Sequence, residues 1–453
     1  MTDRWTVVLA LAAATGAFAA RPVALALLVP VAVAALGWRV PALVCVAVGL
    51  AASILAARAW AGLDQPSLTT WSGTAVLVND PARQHGALRF EARVGGRRVE
   101  AWARGDSGWR LAPRLAGERV ELAGRLRPVT GRSRAYLAHR HIAARLDVQS
   151  VGRTTPAPLP LRAANAVRRL ILHGARTLPD QTRALFAGFV LGDQRFESDQ
   201  TRQDFRHSGL SHLLVVSGEN VAFVLALAQP ALRRLRLGPR FLAALGILGF
   251  FGLLTRGEPS VLRAEAMAAI AVLAATLGRP VSTQRLLCLA VTGLVLVDPM
   301  LVGSVGFLLS VAATAGIAWL TPPLQRRLPL PVAVAVAAQL GVTPVLIPVF
   351  GGLPAASLPA NLLALPAAGP VMMWGLAAGL PAGLLPAPIA AVLHLPTLVL
   401  VDWVAFVARR AGNGPLGRLM IGGPALAGLL AGVAVARVGW RIASKRAARA
   451  RSP

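Results

Sequence analysis

The segment PVAVAVAAQLGVTPVLIPVF, at residues 331–350, has 20 residues and contains no Asp, Glu, Lys or Arg. A helix of that length rises about 30 Å, which matches the hydrocarbon thickness of a bilayer. Similar segments recur along the 453-residue chain, which is 55% hydrophobic and has a mean hydropathy of +0.60. These values exceed those of soluble proteins and exclude a disordered chain, so the sequence predicts an integral membrane protein.

Further candidate spans lie on both sides of this segment. Apolar runs cover 5–20, 22–36 and 40–60, and later candidates cover 208–230, 241–255, 261–278, 285–298, 301–320, 357–384, 388–408 and 419–438. We interpret the first run as a retained anchor, with a cleaved signal peptide as the alternative, because more apolar segments follow at once. The sequence therefore predicts a polytopic α-helical membrane protein of about 10–12 spans, some of them discontinuous.

Residues 64–152 differ from the rest of the chain. Arginines recur every few residues, and short runs of period two at 74–78, 87–94, 97–103, 118–126 and 141–148 are separated by glycine-containing turns. Period-two alternation is typical of half-buried strands. Five such strands in this length predict a small OB-like barrel, inserted between membrane segments.

The chain is thus predicted to have five regions. They are N-terminal transmembrane segments (1–63), an extracytoplasmic OB-like β domain (64–152), a linker with an amphipathic interfacial helix (153–180), a transmembrane channel domain (181–440) and a basic cytoplasmic tail (441–453). The helix is predicted over 161–178, where Arg162, Arg168, Arg169 and Arg176 alternate with apolar residues, a pattern typical of the membrane surface.

Arginine placement predicts the orientation. Clusters at 233–240, 326–327 and 441–451 should face the cytoplasm, which puts both termini inside and the β domain outside. Arg409-Arg410 would then lie outside, against the rule.

The formal net charge is +28, almost all of it from arginine, since Lys445 is the only lysine. A Walker-type phosphate loop needs Gly-Lys-Ser/Thr, which Ser444 and Arg446 around this lysine do not supply, so an ATPase site of this kind is excluded. The two cysteines, Cys45 and Cys288, lie in apolar runs without a CxxC partner and are predicted to be packing residues.

Polar residues interrupt the apolar sequence where a membrane position is costly unless the group faces a bundle interior or water. The richest interruption comprises 191–197 and 207–221, in which Ser217-Gly218-Glu219-Asn220 breaks an apolar helix. Backbone groups freed by such a break are tolerated where they line a cavity. A kinked helix capped by the Ser and Asn side chains is the alternative, and the sequence leaves both open.

Two further interruptions stand at predicted helix ends. Glu258-Pro259 predicts a helix start that carries Arg263 inward, with a solvated loop and a Glu258–Arg263 pair as the alternative. Asp298-Pro299 is typical of a turn at a helix end.

Prolines are dense between residues 339 and 370. They occupy positions 344, 348, 354, 359, 366 and 370. Because proline removes a helix hydrogen bond and clashes with the preceding turn, this density predicts discontinuous or re-entrant elements.

Catalytic motifs are not recognisable around these residues. Ser211, His212 and Ser217 lack the Gly-x-Ser-x-Gly elbow, and His207, His212 and Glu219 lack the His-Glu-x-x-His spacing of a zinc site. We therefore expect no enzymatic activity, no catalytic residues, no metal and no cofactor.

Several sequence blocks form a pattern along the chain. They are Leu191-Gly-Asp-Gln-Arg195, Phe205-Arg-His-Ser-Gly-Leu-Ser-His-Leu-Leu-Val-Val-Ser-Gly218, Gly257-Glu-Pro-Ser-Val-Leu-Arg-Ala264, Gly306-Phe-Leu-Leu-Ser310 and Asn361-Leu-Leu-Ala-Leu-Pro366. Together these blocks resemble the ComEC family, the membrane proteins of bacterial DNA uptake in natural competence. The resemblance extends over about residues 64–384.

The chain departs from that pattern in two ways. Glu219-Asn220 stand where the family commonly has Leu-His. The His-x-His-x-Asp-His motif of the C-terminal metallo-β-lactamase-like domain, which many members carry, is also missing from the sequence. The resemblance is therefore to a short form, and a separate nuclease is expected.

The resemblance implies a DNA internalisation channel in the bacterial cytoplasmic (inner) membrane. A single strand would cross through an aqueous path, moved by a cytoplasmic helicase-like motor and supplied by a separate extracytoplasmic DNA receptor. The other expected partners are membrane lipid and, in a homo-oligomer, a second copy. The predicted channel residues are Asp193, Arg195, His212, Ser217, Gly218, Glu219, Asn220, Glu258, Ser260, Arg263, Asp298 and Asn361.

The β domain is the predicted site of sequence-independent DNA binding. Between Trp71 and Ser150 it has 15 arginines and seven acidic residues, which suits contact with phosphates. Trp71, Phe90, Trp102 and Trp109 are candidates for base stacking, with a place in the domain core as the alternative. The predicted DNA-binding residues are Arg89, Arg93, Arg97, Arg98, Trp102, Arg104 and Trp109.

A different function remains open. The chain could be a channel or transporter for another solute, with the basic β domain docking a partner protein or an anionic polymer. A structural membrane scaffold is a third alternative, but it would not explain the polar residues at the helix breaks.

Overall fold

The computed structural model describes residues 2–22, 25–38, 40–63, 68–84, 86–279 and 281–423. Three helices open the chain: α1 (Asp3–Ala19), α2 (Leu25–Trp38) and α3 (Pro41–Ala61). They coincide with the three apolar runs predicted before residue 64. Buried alanines of α1 and α3 join one apolar cluster with residues 287–307, so these helices pack against the second half of the chain.

The predicted β domain follows. Its strands are β1 (Thr69–Leu77), β2 (Ala82–Gln84), β3 (Ala87–Val94), β4 (Arg97–Ala103), β5 (Arg119–Pro128) and β6 (Ile142–Thr155), with α4 (Gly105–Leu111) between β4 and β5 and α5 (Arg132–Ala138) before β6. All five strands expected from period-two alternation are present. Period-two alternation predicted these strands correctly because alternate side chains of each strand pack into the core that the strands share.

The strand order is β1-β5-β6-β4-β3-β2, and β1 also pairs with β3. Strands β4 and β6 are parallel, and the other pairs are antiparallel. The pairings therefore run from β1 around to β3 and back to β1. Identification of this ring as an OB-like barrel remains a prediction. Phe90 is buried in the core, which is the alternative to base stacking that the sequence left open for it.

Helices form most of the remaining described residues. They are α6 (Leu159–Gly174), α7 (Asp180–Leu191), α8 (Asp199–His207), α9 (Gly218–Leu232), α10 (Leu237–Leu254), α11 (Pro259–Thr276), α12 (Thr283–Val297), α13 (Val305–Leu324), α14 (Leu330–Phe350), α15 (Ser357–Leu384), α16 (Ala387–Leu393), α17 (Leu395–Asn413) and α18 (Pro415–Arg418). A short pair of strands, β7 (Leu353–Pro354) and β8 (Met420–Ile421), is antiparallel.

Six of the described helices are long and apolar enough to cross a membrane: α3, α10, α11, α13, α14 and α15. The pair α16 and α17, bent by 53°, would be a seventh. The protein is thus a mostly helical membrane protein with a small sheet region, as predicted. Within the described residues the number of such helices is below the expected 10–12, because α1, α2, α9 and α12 have only 14 to 17 residues. The span expected at 419–438 lies mainly outside the described residues.

The expectation of discontinuous elements in the proline-rich region was wrong. Helix α14 runs through Pro344 and Pro348, and α15 runs through Pro366, Pro370 and Pro381. A proline in a membrane helix is tolerated when neighbouring groups satisfy the freed carbonyl. The chain breaks instead between these helices, where Gly351 adopts a positive φ of 79°.

The β domain rests on the helical region at two places apart from the site described below. Leu63, Ala138, Ala143 and Met300 form a small apolar cluster. Beside it, the Nε2 of His141 lies 3.0 Å from the Oδ1 of Asp298. Asp298 also accepts a hydrogen bond from the amide of Met300 and so caps the turn at 299–303.

Candidate functional site

A buried arginine of α6 joins the β domain to the helical region. Arg168 is only 2% exposed, and its Nη1 donates to the carbonyls of Leu191 and Leu254 at 2.8 and 2.7 Å. Its Nη2 lies 3.0 Å from the Oδ2 of Asp80 and 3.1 Å from the Oδ2 of Asp193. One guanidinium thus contacts the β domain, the end of α7 and the end of α10.

Two more arginines complete the arrangement. Arg195 donates from Nε and Nη2 to Asp193 at 2.8 and 2.7 Å. Arg256 pairs in the same two-point fashion with Asp80, and its Nη2 donates to Asn165 at 2.7 Å. We call this set the interdomain clasp: Asp80, Asn165, Arg168, Asp193, Arg195 and Arg256.

The clasp combines three arginines with two aspartates, so its formal net charge is +1, and each arginine contacts at least one carboxylate. Burial alone would raise the pKa of Asp80, but Arg168 and Arg256 outweigh it and hold the pKa below its usual range. The amide of Ala116 donates to the same carboxylate at 2.8 Å. Asp80 is therefore ionised at neutral pH, and every charge in the clasp has an opposite charge in contact.

Sequence reasoning placed Asp193 and Arg195 in a pore and Arg168 on the membrane surface. The structure brings all three together in the clasp, and Arg168 does not lie on an exposed face. Asp80, Asn165 and Arg256 were missed altogether. One signal was present: Arg168 falls on the same helical face as Ala164 and Ile171, both fully buried apolar residues.

A second polar group surrounds the break before α9. The chain passes from α8 through a short 3₁₀ turn at 211–214 and an extended segment, and α9 starts at Gly218. Side chains satisfy the carbonyls at this break. Gln194 donates to Leu214 at 3.1 Å, and Ser260 donates to Val216 at 2.7 Å. Asn220, fully buried, donates to the carbonyl of Phe189 at 3.1 Å.

Arg263 of α11 points at the start of α9. It is 8% exposed, and its Nε donates to the Oγ of Ser310 at 2.7 Å. Its Nη1 lies 3.3 Å from the sulfur of Met267. Among the described residues no carboxylate forms an ion pair with it. Its Nη2 lies so close to Gly218 that a Cβ there would be 2.6 Å away.

The other predicted channel residues lie apart from this group. His212 is exposed, and Asn361 donates to the carbonyl of Ser357 one turn earlier on α15. Asp298 contacts His141, as described above. Glu258 precedes α11 beside the β domain, where burial raises its pKa although Arg140 acts in the opposite direction. Ser217, Gly218, Glu219, Asn220, Ser260 and Arg263 are thus the predicted channel residues that lie around one helix start.

The predicted DNA-binding residues divide into anchored and free side chains. Glu100, 2% exposed, pairs with Arg89 at 2.6 Å and with Arg145 at 2.7 Å. Glu91, equally buried, pairs with Arg98 at 2.6 Å and contacts Arg140. Buried carboxylates therefore fix several arginines on the outer surface of the strands.

The remaining basic and aromatic candidates are accessible. Arg93, Arg97 and Arg104 are exposed, and Trp102 is half-buried. Trp109 is 68% exposed, and the guanidinium of Arg83 lies 4.7 Å from its ring centre. This surface offers cations and one exposed ring to an anionic, aromatic ligand.

Comparisons with known proteins match the helical region. The family model described as Competence protein matches residues 189–446. ComE operon protein 3 of Bacillus subtilis (strain 168) is 26% identical over 238 residues, which cover 51% of this chain and 30% of that protein. The uncharacterized protein YcaI of Escherichia coli (strain K12) is 28% identical over 214 residues, or 42% of this chain and 28% of that protein. The matched region spans less than a third of either relative, and no solved structure matches the chain.

Proposed function

The chain belongs to the Competence protein family, and we propose on that premise that it imports DNA in natural transformation. A single strand crosses the inner membrane through an aqueous path in the helical region. A cytoplasmic helicase-like motor moves the strand, a separate nuclease degrades its complement, and an extracytoplasmic receptor delivers the duplex.

The observation that carries this proposal is a series of contacts that links the basic β domain, through the residues before and at the start of α11, to the helix break before α9. The clasp joins β-domain residue Asp80 to Arg256, three residues before α11 begins. Ser260, in the first turn of α11, in turn bonds to the carbonyl of Val216 just before α9. A strand held on the β domain would therefore meet the starts of α9 and α11 first.

The ring of strands supports an OB-like barrel as the DNA-binding module. Antiparallel neighbours, one parallel pair between β4 and β6, and closure through β1 and β3 suit a five-stranded partly open barrel. The exposed Arg93, Arg97 and Arg104 would contact phosphates without reading sequence. Trp102 and Trp109 are available for base stacking.

Arginine placement supports an extracytoplasmic β domain and a cytoplasmic N-terminus. Helix α9 starts beside the β domain and ends at the cluster of residues 233–240. Helix α13 starts after the turn that Asp298 caps and ends at Arg326-Arg327. Asp3 pairs with Arg285 at the far end of α12 from Asp298, so the N-terminus lies on the arginine-rich side.

Deletion of the gene in its source organism tests the proposal. Transformation frequency should collapse in the deletion strain and return on complementation with the wild-type chain. An unchanged frequency, with DNA in excess and competence induced, would contradict DNA import and favour a channel for another solute.

A further inference from the structure

The start of α9 combines two sources of positive potential. Among the described residues no side chain caps its first amides, because Ser217 donates to Asn220 instead of accepting from the helix. Uncapped amides and the helix dipole make a helix N-terminus attractive to anions. Glu219, the acid of this turn, has its carboxylate beside Gly369 of α15.

The guanidinium of Arg263 adds a full charge at the same point. Its two hydrogen-bond partners among the described residues, Ser310 and Met267, are neutral, and neither Glu219 nor Glu265 lies within ion-pair distance of it. A buried cation without a counter-ion is costly, and like potentials from a helix start and a guanidinium repel each other. An anion held between them would remove both costs.

From this juxtaposition we infer that Arg263 and the first amides of α9 form a binding station for one phosphodiester. The inference rests on the proposed function and specifies where the strand is first held inside the membrane. Arg263 is the fifth residue of α11, so it lies about 6 Å below the end that faces the β domain. A guanidinium and backbone amides can hold a phosphate without reading a base.

Glycine at position 218 is part of the station. A Cβ there would be 2.6 Å from the Nη2 of Arg263 and 2.9 Å from the Cβ of Ala264. Glycine therefore lets the guanidinium approach the backbone amides closely. Ser310 accepts from the Nε of Arg263 and so helps to hold the guanidinium in the orientation that brings its Nη2 toward α9.

The test is the salt dependence of oligonucleotide binding by the full chain. The chain is purified in a phosphate-free detergent, and a fluorescein-labelled 30-mer of deoxythymidylate is titrated between 50 and 300 mM KCl. Each phosphate contact to a single strand contributes about 0.7 to the slope of log K against log salt. Arg263→Gln should lower the slope by about that amount, whereas Arg263→Lys should retain it. Arg169→Gln, a change at an exposed arginine of α6, should also retain it.

An identical slope for wild type and Arg263→Gln would overturn the station. If Arg263→Gln with this unchanged slope also lost one co-purified phospholipid per chain, the anion bound at this point would be a lipid headgroup and the station would again be overturned. If Arg263→Gln does not fold, Arg263→Met gives the same readout. Failure of the proposed function is separate: the wild-type chain would then show no salt-dependent binding, and deletion would leave transformation unchanged.

Discussion

Two arginines are buried in this protein in opposite ways. Arg168 lies in the interdomain clasp, where two carboxylates and two carbonyls contact its two Nη nitrogens. Arg263 lies at the start of α9 with a hydroxyl and a thioether as its only hydrogen-bond partners among the described residues. Asp193 and Arg195 of the Gly-Asp-Gln-Arg segment belong to the first site, and Ser260 and Arg263 of the Pro-Ser-Val-Leu-Arg segment to the second. From this difference we expect the arginine paired with carboxylates to hold the domains together, and the arginine without one to bind an anionic ligand.

The largest expected effect is the loss of the compensated arginine. Arg168→Met leaves Asp80 and Asp193 with one arginine each and leaves the buried carbonyls of Leu191 and Leu254 without their donor, which should cost about 3–5 kcal/mol of unfolding free energy. Arg169→Met, at the exposed neighbouring position, should change it by no more than about 0.5 kcal/mol. Thermal unfolding of the full chain in detergent compares the two. Equal midpoints would show that the clasp does not hold the domains.

Glu197 extends the comparison to a buried carboxylate whose arginine partner is distant. Such a carboxylate can bind a proton and become neutral, whereas the guanidinium of Arg263 keeps its charge. The side chain of Glu197 is fully buried, its nearest cation is Arg202 at 3.6 Å, and burial raises its pKa to about 8. The folded state then binds a proton that the unfolded state releases above pH 4 to 5. Stability should therefore fall as pH rises from about 5 to 8, by as much as about 3 kcal/mol.

Glu197→Gln should remove most of that fall and raise the unfolding midpoint at pH 8 but not at pH 5. Thermal unfolding midpoints of the wild type and Glu197→Gln, measured between about pH 5 and 8, test this prediction. A variant whose midpoint tracks the wild type at every pH would mean that Glu197 is ionised in the folded chain.

A side chain at position 218 should lower the unfolding free energy by less than the loss of Arg168 does. Gly218→Ala places a Cβ against Arg263 and Ala264 and should cost about 1–3 kcal/mol through overpacking. Gly249→Ala in α10 is the matched control, since nothing lies within 4 Å of a Cβ there and alanine favours a helix. A Gly218→Ala chain as stable as the control would indicate that α9 and α11 move apart without penalty.

The smallest effect on stability is expected from the uncompensated arginine itself. Replacing an unpaired buried charge by a neutral group removes a desolvation cost, so Arg263→Gln should change the unfolding free energy by less than about 1 kcal/mol or increase it. The same unfolding experiment measures it. Destabilisation as large as that of Arg168→Met would make Arg263 a structural residue.

The β domain was predictable from sequence because its signal is local. Residues such as Leu88 and Phe90 alternate with Arg89, and one buried core enforces that alternation over every strand. The clasp was not predictable, because Asp80 and Arg256 are 176 positions apart and neither stands in a recognisable motif. The proline helices were misjudged for a related reason: the groups that tolerate Pro344 or Pro366 come from packing and not from the neighbouring sequence.

The site at α9 was only partly predictable. The break near Ser217 and the helix start at Pro259 were evident from local signals, and both are present. The sequence could not show that Asp193 and Arg195 belong to a different site from Arg263, since all three are charged residues in the blocks that carry the family resemblance. Their contacts in the structure distinguish them: Asp193 and Arg195 form ion pairs in the clasp, whereas Arg263 has no carboxylate partner among the described residues. These contacts depend on which helix ends the fold brings close together.

The most direct test of DNA import through the uncompensated site is uptake of labelled DNA by the source organism. Cells carrying wild type, Arg263→Gln or Arg169→Gln at equal protein levels receive labelled duplex, and surface-bound and nuclease-protected label are counted separately. Arg263→Gln should bind DNA normally at the surface and import about tenfold less, equivalent to about 1.4 kcal/mol of charge-assisted binding. Arg169→Gln should match the wild type. Normal protected uptake by Arg263→Gln would contradict the account.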